Sequence, residues 1–430
     1  MSHGARCPAL VVSAAASGQG KTSATAALAR LHARHGRRVR VFKCGPDYLD
    51  PYWHQLASGA PVEQLDLWMT GPADCAARLH AAAREADLIL VEGVMGLFDG
   101  EDCVADLAQR FGMPVLAVVD AGAMGGTLGA IVHGLRHYRE GLPWAGVLAN
   151  RVAGERHAAM LRAGLAPLLP ERHLGLVAAH ELPDALQRLD AAADALAATP
   201  LGRMDAQALQ RFAVDFPAPP PRPPVAPLLA GRTVAVARDA AFCFIYPGNV
   251  QTLQQLGARV VFFSPLHDAA LPACDAVWLP GGYPELHAEA LAANGAFQAS
   301  LRAHVQAGKP LWAECGGMMA LCEAITLHDG RTVPLWGLLP GRVAMRRRLA
   351  ALGPQQLALP QGCLRGHTFH YSTCDSTAPV DARTARPGQD AARDAGEAVY
   401  HLGGLRASYF HAWFASSPQA TAALFGAEGA

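Results

Sequence analysis

The sequence has no surplus of charge of either sign: 36 Lys and Arg stand against 36 Asp and Glu. A nucleic-acid binder would carry a basic excess, so that class is not expected. Paired cysteines are missing too. Ten Cys are scattered through 430 residues without one Cys-x-x-Cys, which excludes a disulfide framework and a zinc site as the organising device. No apolar run is long enough to span a bilayer, so no membrane partner is expected. No secretory pattern opens the chain, and a cytoplasmic location is the expectation. No internal repeat is evident. At this length two or three domains with ample core should form.

What is present is strand-helix alternation with chemistry at the strand ends. Ala9 to Ser13 is a short apolar run, expected to be a buried parallel strand. It leads into Ala14-Ala-Ala-Ser-Gly-Gln-Gly-Lys-Thr-Ser23, then an Ala/Leu-rich helix. Strand, glycine-containing loop, Gly20-Lys21-Thr22 and helix form the setting of a phosphate-binding loop. Its amides, over Ser17, Gly18, Gln19 and Gly20, would hold phosphate oxygens of ATP. Lys21 would pair with the β- and γ-phosphates, and Thr22 would ligate Mg²⁺. The first glycine position of the usual pattern is Ala15.

Further strands are expected at 39–43, 87–93, 115–120 and 146–150. Asp47, Glu92 and Asp99 follow or end such strands, where open α/β sheets place ligands. Carboxylates there suit Mg²⁺ binding (Asp47, Glu92) or the positioning of substrate or metal (Asp47, Asp99). The alternation predicts an α/β fold with a doubly wound parallel sheet.

The run Phe216-Pro-Ala-Pro-Pro-Pro-Arg-Pro-Pro-Val-Ala-Pro227 is a stiff linker. It divides the chain into an ATP-binding domain at 1–215, a linker at 216–230 and a second α/β domain at 231–430. In the second domain strands are expected at 233–239, 259–263 and 276–280. Pro310-Leu-Trp-Ala-Glu-Cys-Gly-Gly317 then reads as a strand running into a tight turn and a helix. A cysteine on such an elbow is exposed to substrate beside helix N-terminal amides, which favour the thiolate. Cys315 is therefore the candidate nucleophile. The amides of Gly316 and of Gly282, in the turn Gly281-Gly282, are the candidate oxyanion hole. His411, in Ala407-Ser-Tyr-Phe-His-Ala-Trp-Phe414, is the candidate base.

The elbow cysteine, Pro-Gly-Gly turn and late histidine resemble a class I glutamine amidotransferase domain. The N-terminal half resembles dethiobiotin synthetase-like ATPases. Joined, they resemble the cobyrinic (or hydrogenobyrinic) acid a,c-diamide synthase family over nearly the whole chain. The resemblance rests on Phe42-Lys-Cys-Gly-Pro-Asp-Tyr-Leu-Asp-Pro51, Val91-Glu-Gly-Val-Met-Gly-Leu-Phe-Asp-Gly100, Asn150-Arg-Val152, Ala235-Val-Ala-Arg-Asp-Ala-Ala-Phe-Cys-Phe244, Ala313-Glu-Cys-Gly-Gly317 and Gly366-His-Thr-Phe-His-Tyr-Ser372. Trp413 stands where most amidotransferases carry an acid, so the resemblance implies a Cys–His dyad.

The resemblance further implies an ATP- and L-glutamine-dependent ligase of cobalamin biosynthesis, acting on a corrinoid small molecule. It would make an acyl phosphate and pass ammonia between domains through a shielded passage. Asn150 would contact adenine, by analogy with dethiobiotin synthetase-like enzymes. A homodimer is left open. Within the class, cobyric acid synthase and nickel-sirohydrochlorin amidating ligases are the alternatives. Outside it stand a regulatory P-loop ATPase, which would carry a second lysine where Ala14-Ala15-Ala16 is found, and a glutaminase-like cysteine hydrolase.

Overall fold

The computed structural model describes residues 4–164, 184–221, 224–389 and 395–427. The chain forms two compact units, Met1–Pro221 and Arg222–Ala430.

The first unit is built on a parallel sheet. Its strands are β1 (Ala5–Ala14), β2 (Val39–Cys44), β3 (Glu63–Leu65), β4 (Leu88–Glu92), β5 (Val115–Asp120) and β6 (Trp144–Asn150), in the order β3-β2-β4-β1-β5-β6. Both faces are covered by helices, so these strands read as continuous apolar runs rather than alternating ones. The second half of β1 pairs in parallel with β4 (Ala9 with Ile89) and with β5 (Val12 with Leu116). Helix α1 (Lys21–Arg34) is rich in Ala and Leu, strong helix formers, and buries Ala24, Ala27, Leu28 and Leu31. Helix α2 (Asp50–Ser58) opens with Pro51 in its first turn and ends at Gly59 in the left-handed region. Because the strands run the same way, the segments after β1, β2, β4 and β6 all leave from the carboxyl edge of the sheet.

One strand was not expected. β7 (Ala213–Phe216) pairs antiparallel with the first half of β1, Ala5 against Phe216. Phe216 therefore belongs to the sheet rather than to the linker. At the other end of the proline-rich run Leu229 is buried, and its N–H donates to Leu256 O at 2.7 Å. The extended segment is shorter than its composition suggests, because both ends found apolar partners. Residues 222–223 lie outside the described residues.

The second unit continues with β8 (Thr233–Ala237), β9 (Arg259–Phe263), β10 (Ala276–Leu279) and β11 (Leu311–Glu314). Then come β12 (Ala324–Thr326), β13 (Thr332–Pro334), β14 (Gly341–Met345), β15 (Ala351–Leu359), β16 (Gly362–His370) and β17 (Ser372–Ser376). The last are β18 (Val380–Arg383), β19 (Ala398–Leu402), β20 (Leu405–Ser408) and β21 (His411–Trp413). The main sheet has the order β18-β19-β20-β11-β10-β8-β9, with β20, β11, β10, β8 and β9 parallel. A small sheet, β13-β12-β14-β17, and a three-stranded one, β15-β16-β21, complete it. The aromatic stretch 407–414 is thus two strands in different sheets, broken at Tyr409-Phe410. Among the described residues no helix is long and apolar enough to cross a membrane.

Candidate functional site

The first cluster forms around the loop between β1 and α1. Gly18 and Gly20 take φ values of 79° and 97°, in the left-handed region that favours glycine. A Cβ on Gly20 would also collide with Asn150 Nδ2. Ser17 and Gly18 are exposed; Gln19 and Gly20 are half-buried. The first turn of α1 holds no acidic residue, and no side chain caps its N-terminus. Those amides and the helix dipole favour an anion there.

Lys21 is buried, and its Nζ donates to Ala16 O (3.1 Å) and Met95 O (2.5 Å). Burial lowers its pKa, with Glu92 acting in the opposite direction. Thr22 Oγ1 donates to Glu92 Oε1 at 2.8 Å. Glu92 ends β4 fully buried, and its other oxygen meets His54 Nε2. Lys43, at the end of β2, points its Nζ at Glu92 (3.2 Å), Asp47 (3.3 Å) and Asp50. Burial works against the Lys43 charge, yet Glu92, Asp47 and Asp50 together raise its pKa well above the ordinary value. Burial lifts the Asp47 carboxyl to about 6 even with Lys43 beside it. Its Oδ1 also accepts from the N–H groups of Leu49 and Asp50, shaping the entry to α2.

The structure thus brings together Lys21, Thr22, Asp47 and Glu92. Asp99 turns inward on its own loop, accepting from Gly96 N at 2.8 Å. Asn150 ends β6 with Nδ2 donating to Gln19 O (2.9 Å) and Oδ1 accepting from Arg151 N (2.9 Å). Gln19 Oε1 accepts from Asp120 N at the end of β5 (2.8 Å). The phosphate loop is therefore tied to two neighbouring strands. Thr22 and Glu92 offer a hydroxyl and a carboxylate oxygen, the kinds of ligand that Mg²⁺ takes.

The second cluster forms at the end of β11. Cys315 has φ 45°, ψ −106°, a conformation rare outside glycine, and starts the helix Gly316–Leu321. Its N–H donates to Ser408 O at 2.7 Å, holding the strained turn against β20. Gly316 is packed against the other glycine turn. A Cβ there would stand 2.9 Å from Gly282 N and 2.8 Å from Pro284 Cδ. His411 borders the same turn, since a Cβ on Gly281 would lie 2.5 Å from its Cε1. Elbow, Gly281-Gly282 turn and His411 are thereby brought together. Burial raises the Cys315 pKa, with Glu285 adding to the effect. Burial also holds His411 well below the ordinary imidazole value. Both shifts favour the neutral form, thiol for Cys315 and imidazole for His411.

β21 is pinned from both sides. Asn249, fully buried, donates to Ala412 O (2.8 Å) and accepts from Phe414 N (2.8 Å). Glu314 Oε1 accepts from Ala412 N (3.2 Å) and Trp312 Nε1 (2.8 Å). β16 runs alongside, with His367 opposite His411 in register. Tyr246 OH and His367 Nε2 lie 2.9 Å apart. His370 is engaged elsewhere, by Ser372 O (2.8 Å) and Glu397 Oε1 (3.1 Å), and stacks on Tyr409 at 3.7 Å.

Both clusters lie within segments that match known family models. The nucleotide binding domain named CobQ/CobB/MinD/ParA matches residues 10–190, and the CobB/CobQ-like glutamine amidotransferase domain matches residues 233–419. Hydrogenobyrinate a,c-diamide synthase of Pseudomonas aeruginosa is 54% identical over 98% of this chain and 98% of its own length. The chain belongs to the a,c-diamide synthase family. A relative of the same name from Stutzerimonas stutzeri is 54% identical over 97% of this chain and 98% of its own. Cobyrinate a,c-diamide synthase of Herminiimonas arsenicoxydans is 48% identical over 97% of each. In this family member the nucleotide-binding match holds Lys21, Thr22, Asp47, Glu92 and Asn150. The amidotransferase match holds Cys315 and His411.

Sequence reasoning missed Lys43, Asp50 and His54 in the first cluster, and Asn249 and Glu314 in the second. A signal existed for Lys43. A lysine closing the buried strand Val-Arg-Val-Phe-Lys-Cys needs acidic partners, and Asp47 and Asp50 follow within one loop.

Proposed function

We propose that this chain amidates the a and c carboxylates of hydrogenobyrinic acid in cobalamin biosynthesis, consuming ATP and L-glutamine. The observation that carries the reading is 54% identity, over essentially full length, to two relatives named for that reaction. A cobalt-containing ring is the second reading, favoured by the 48% identical relative named for cobyrinate.

The residues supply a consistent route. A carboxylate is a poor acylating agent, so ATP would phosphorylate it to an acyl phosphate. The loop amides and Lys21 would hold the phosphates in place during transfer. Mg²⁺, held by Thr22, Glu92 and Asp47, would offset phosphate charge when bound. Lys43 would keep the acidic cluster from repelling the nucleotide.

In the second unit, His411 would take the Cys315 proton. The thiolate would attack the side-chain amide of glutamine, with the oxyanion on the amides of Gly282 and Gly316. His411 would return the proton to departing ammonia. Water would then release glutamate from the thioester. Ammonia would displace phosphate from the acyl phosphate and leave the ring amide.

The test is incubation with ATP, glutamine and either the cobalt-free or the cobalt-containing ring, read by mass spectrometry. Two successive carboxyl-to-amide mass changes on the cobalt-free ring are expected. No mass change on either ring would overturn the reading.

A further inference from the structure

The segment from Phe369 to Cys374 runs beside the elbow helix Gly316–Leu321. At the near end Cys315 Sγ stands 4.0 Å from Phe369 O. In the middle Ser372 Oγ donates to Met319 Sδ at 3.5 Å. At the far end Cys374 Sγ lies 3.8 Å from Cys322 Sγ. Ser372 and Cys374 are two apart on β17 and share one face of that strand; Met319 and Cys322 are three apart and share one side of the helix end. The two thiols therefore meet through the packing of two elements, and both elements are anchored. Cys374 stands opposite Val343 in the β14–β17 pairing, and Ser372 Oγ is also 2.8 Å from Tyr409 OH. Cys322 caps the helix, its N–H donating to Met319 O at 3.2 Å. Cys322 is fully buried and Cys374 half-buried, so an oxidant from solvent meets Cys374 first.

We propose that Cys322 and Cys374 are an oxidation site, a dithiol that a peroxide closes to a disulfide, slowing the use of glutamine. The Cys374 sulfur attacks one peroxide oxygen. An S–O bond forms, the O–O bond breaks, and water leaves with the thiol proton. The Cys322 sulfur then attacks that sulfur. The S–S bond forms, the S–O bond breaks, and a second water leaves with the second thiol proton. Two thiols thus give two electrons to one peroxide. A disulfide holds its sulfurs about 2.05 Å apart, so closure draws the two side chains together by roughly 1.8 Å. The pull acts on the helix whose other end is Cys315. A catalytic constellation tolerates only about 0.5 Å of displacement. The phosphate loop belongs to the other compact unit. Formation of the bond owes nothing to the proposed reaction; its effect rests on the glutaminase reading given above.

The test treats the reduced full chain with hydrogen peroxide and maps its peptides by mass spectrometry without reduction. A peptide pair joined through Cys322 and Cys374 and lighter by two hydrogens is expected. Glutamine-dependent amidation should fall by about 10²-fold, the cost of misplacing reacting groups by an ångström. Dithiothreitol should restore it. Amidation with free ammonia should be the same before and after oxidation. Cys374→Ser cannot form the bond and should keep its glutamine-dependent rate through the same treatment.

No joined peptide, at a peroxide concentration that oxidises the exposed Cys363, overturns the proposal. So does a joined peptide with undiminished use of glutamine. Equal inactivation of Cys374→Ser also overturns it, since the loss would then belong to oxidation of Cys315 itself. If Cys374→Ser does not fold, the wild-type peptide map and the recovery in dithiothreitol decide. A reduced wild type that uses ammonia and never glutamine would overturn the proposed function and this switch with it, while the joined peptide would still report the bond.

Discussion

Asn150 donates its carboxamide N–H to the carbonyl of Gln19 across 2.9 Å, so the end of β6 holds the phosphate loop in shape. The other end of the same carboxamide accepts from Arg151 N. Asn150→Ala should therefore loosen the loop itself. We expect the KM for ATP to rise several-fold and the KM for GTP to rise by the same factor. Steady-state kinetics with the two nucleotides checks this. A loss confined to ATP would place Asn150 on the adenine instead.

If Lys21 and Glu92 serve the phosphoryl step, as proposed, their loss should not depend on the nitrogen donor. Lys21→Ala and Glu92→Gln are each expected to lower amidation by about 10²–10³-fold, with glutamine and with ammonia alike. The ratio of the two rates in each variant is the readout. Near-normal ammonia-dependent turnover in Lys21→Ala would exclude this loop as the ATP site.

Most of this first cluster was legible because each residue lies at or just after the carboxyl end of its own strand. Gly20-Lys21-Thr22 must sit where β1 meets α1, and Glu92 must end β4. Lys43 was not read because a lysine in a strand is ordinarily taken as exposed, and its burial depends on the distant Glu92. The elbow was equally legible from Ala313-Glu-Cys-Gly-Gly317. The hairpin β15–β16 was not. Gly353, Pro354 and Gly366 interrupt its alternation, and its pairing with β21 is fixed only by tertiary contacts.

Among the histidines, His411 borders the Gly281-Gly282 turn, whereas His367 meets Tyr246 OH and His370 meets Glu397. His411→Ala should abolish glutamate release and keep ammonia-dependent amidation. His367→Ala should impair both donors or neither. Glutamate release with saturating ATP and ring separates them. Wild-type glutamate release in His411→Ala, with loss in His370→Ala, would move the base to β16.

Glu314 makes a stability prediction. Burial lifts its carboxyl to about 8, whereas in the unfolded chain it ionises near 4.3. Between those values the folded state keeps a proton that the unfolded state has lost, so stability falls as pH rises. The contribution is complete below the unfolded value and lost progressively up to about 8. Wild-type Tm should decline across that window more steeply than the Tm of Glu314→Gln, which cannot ionise. Parallel Tm–pH curves would show that Glu314 is not buried as a neutral acid.

The proposed function assigns two chemistries to two sites, amide hydrolysis at Cys315 and carboxylate activation at the phosphate loop. The most direct measurement is ring amidation by Cys315→Ala, followed by mass spectrometry, with glutamine in one reaction and a high concentration of free ammonia in the other. No amide from glutamine and wild-type-like amidation from ammonia are expected. Equal loss with both donors, in a variant whose Tm matches the wild type, would contradict the assignment.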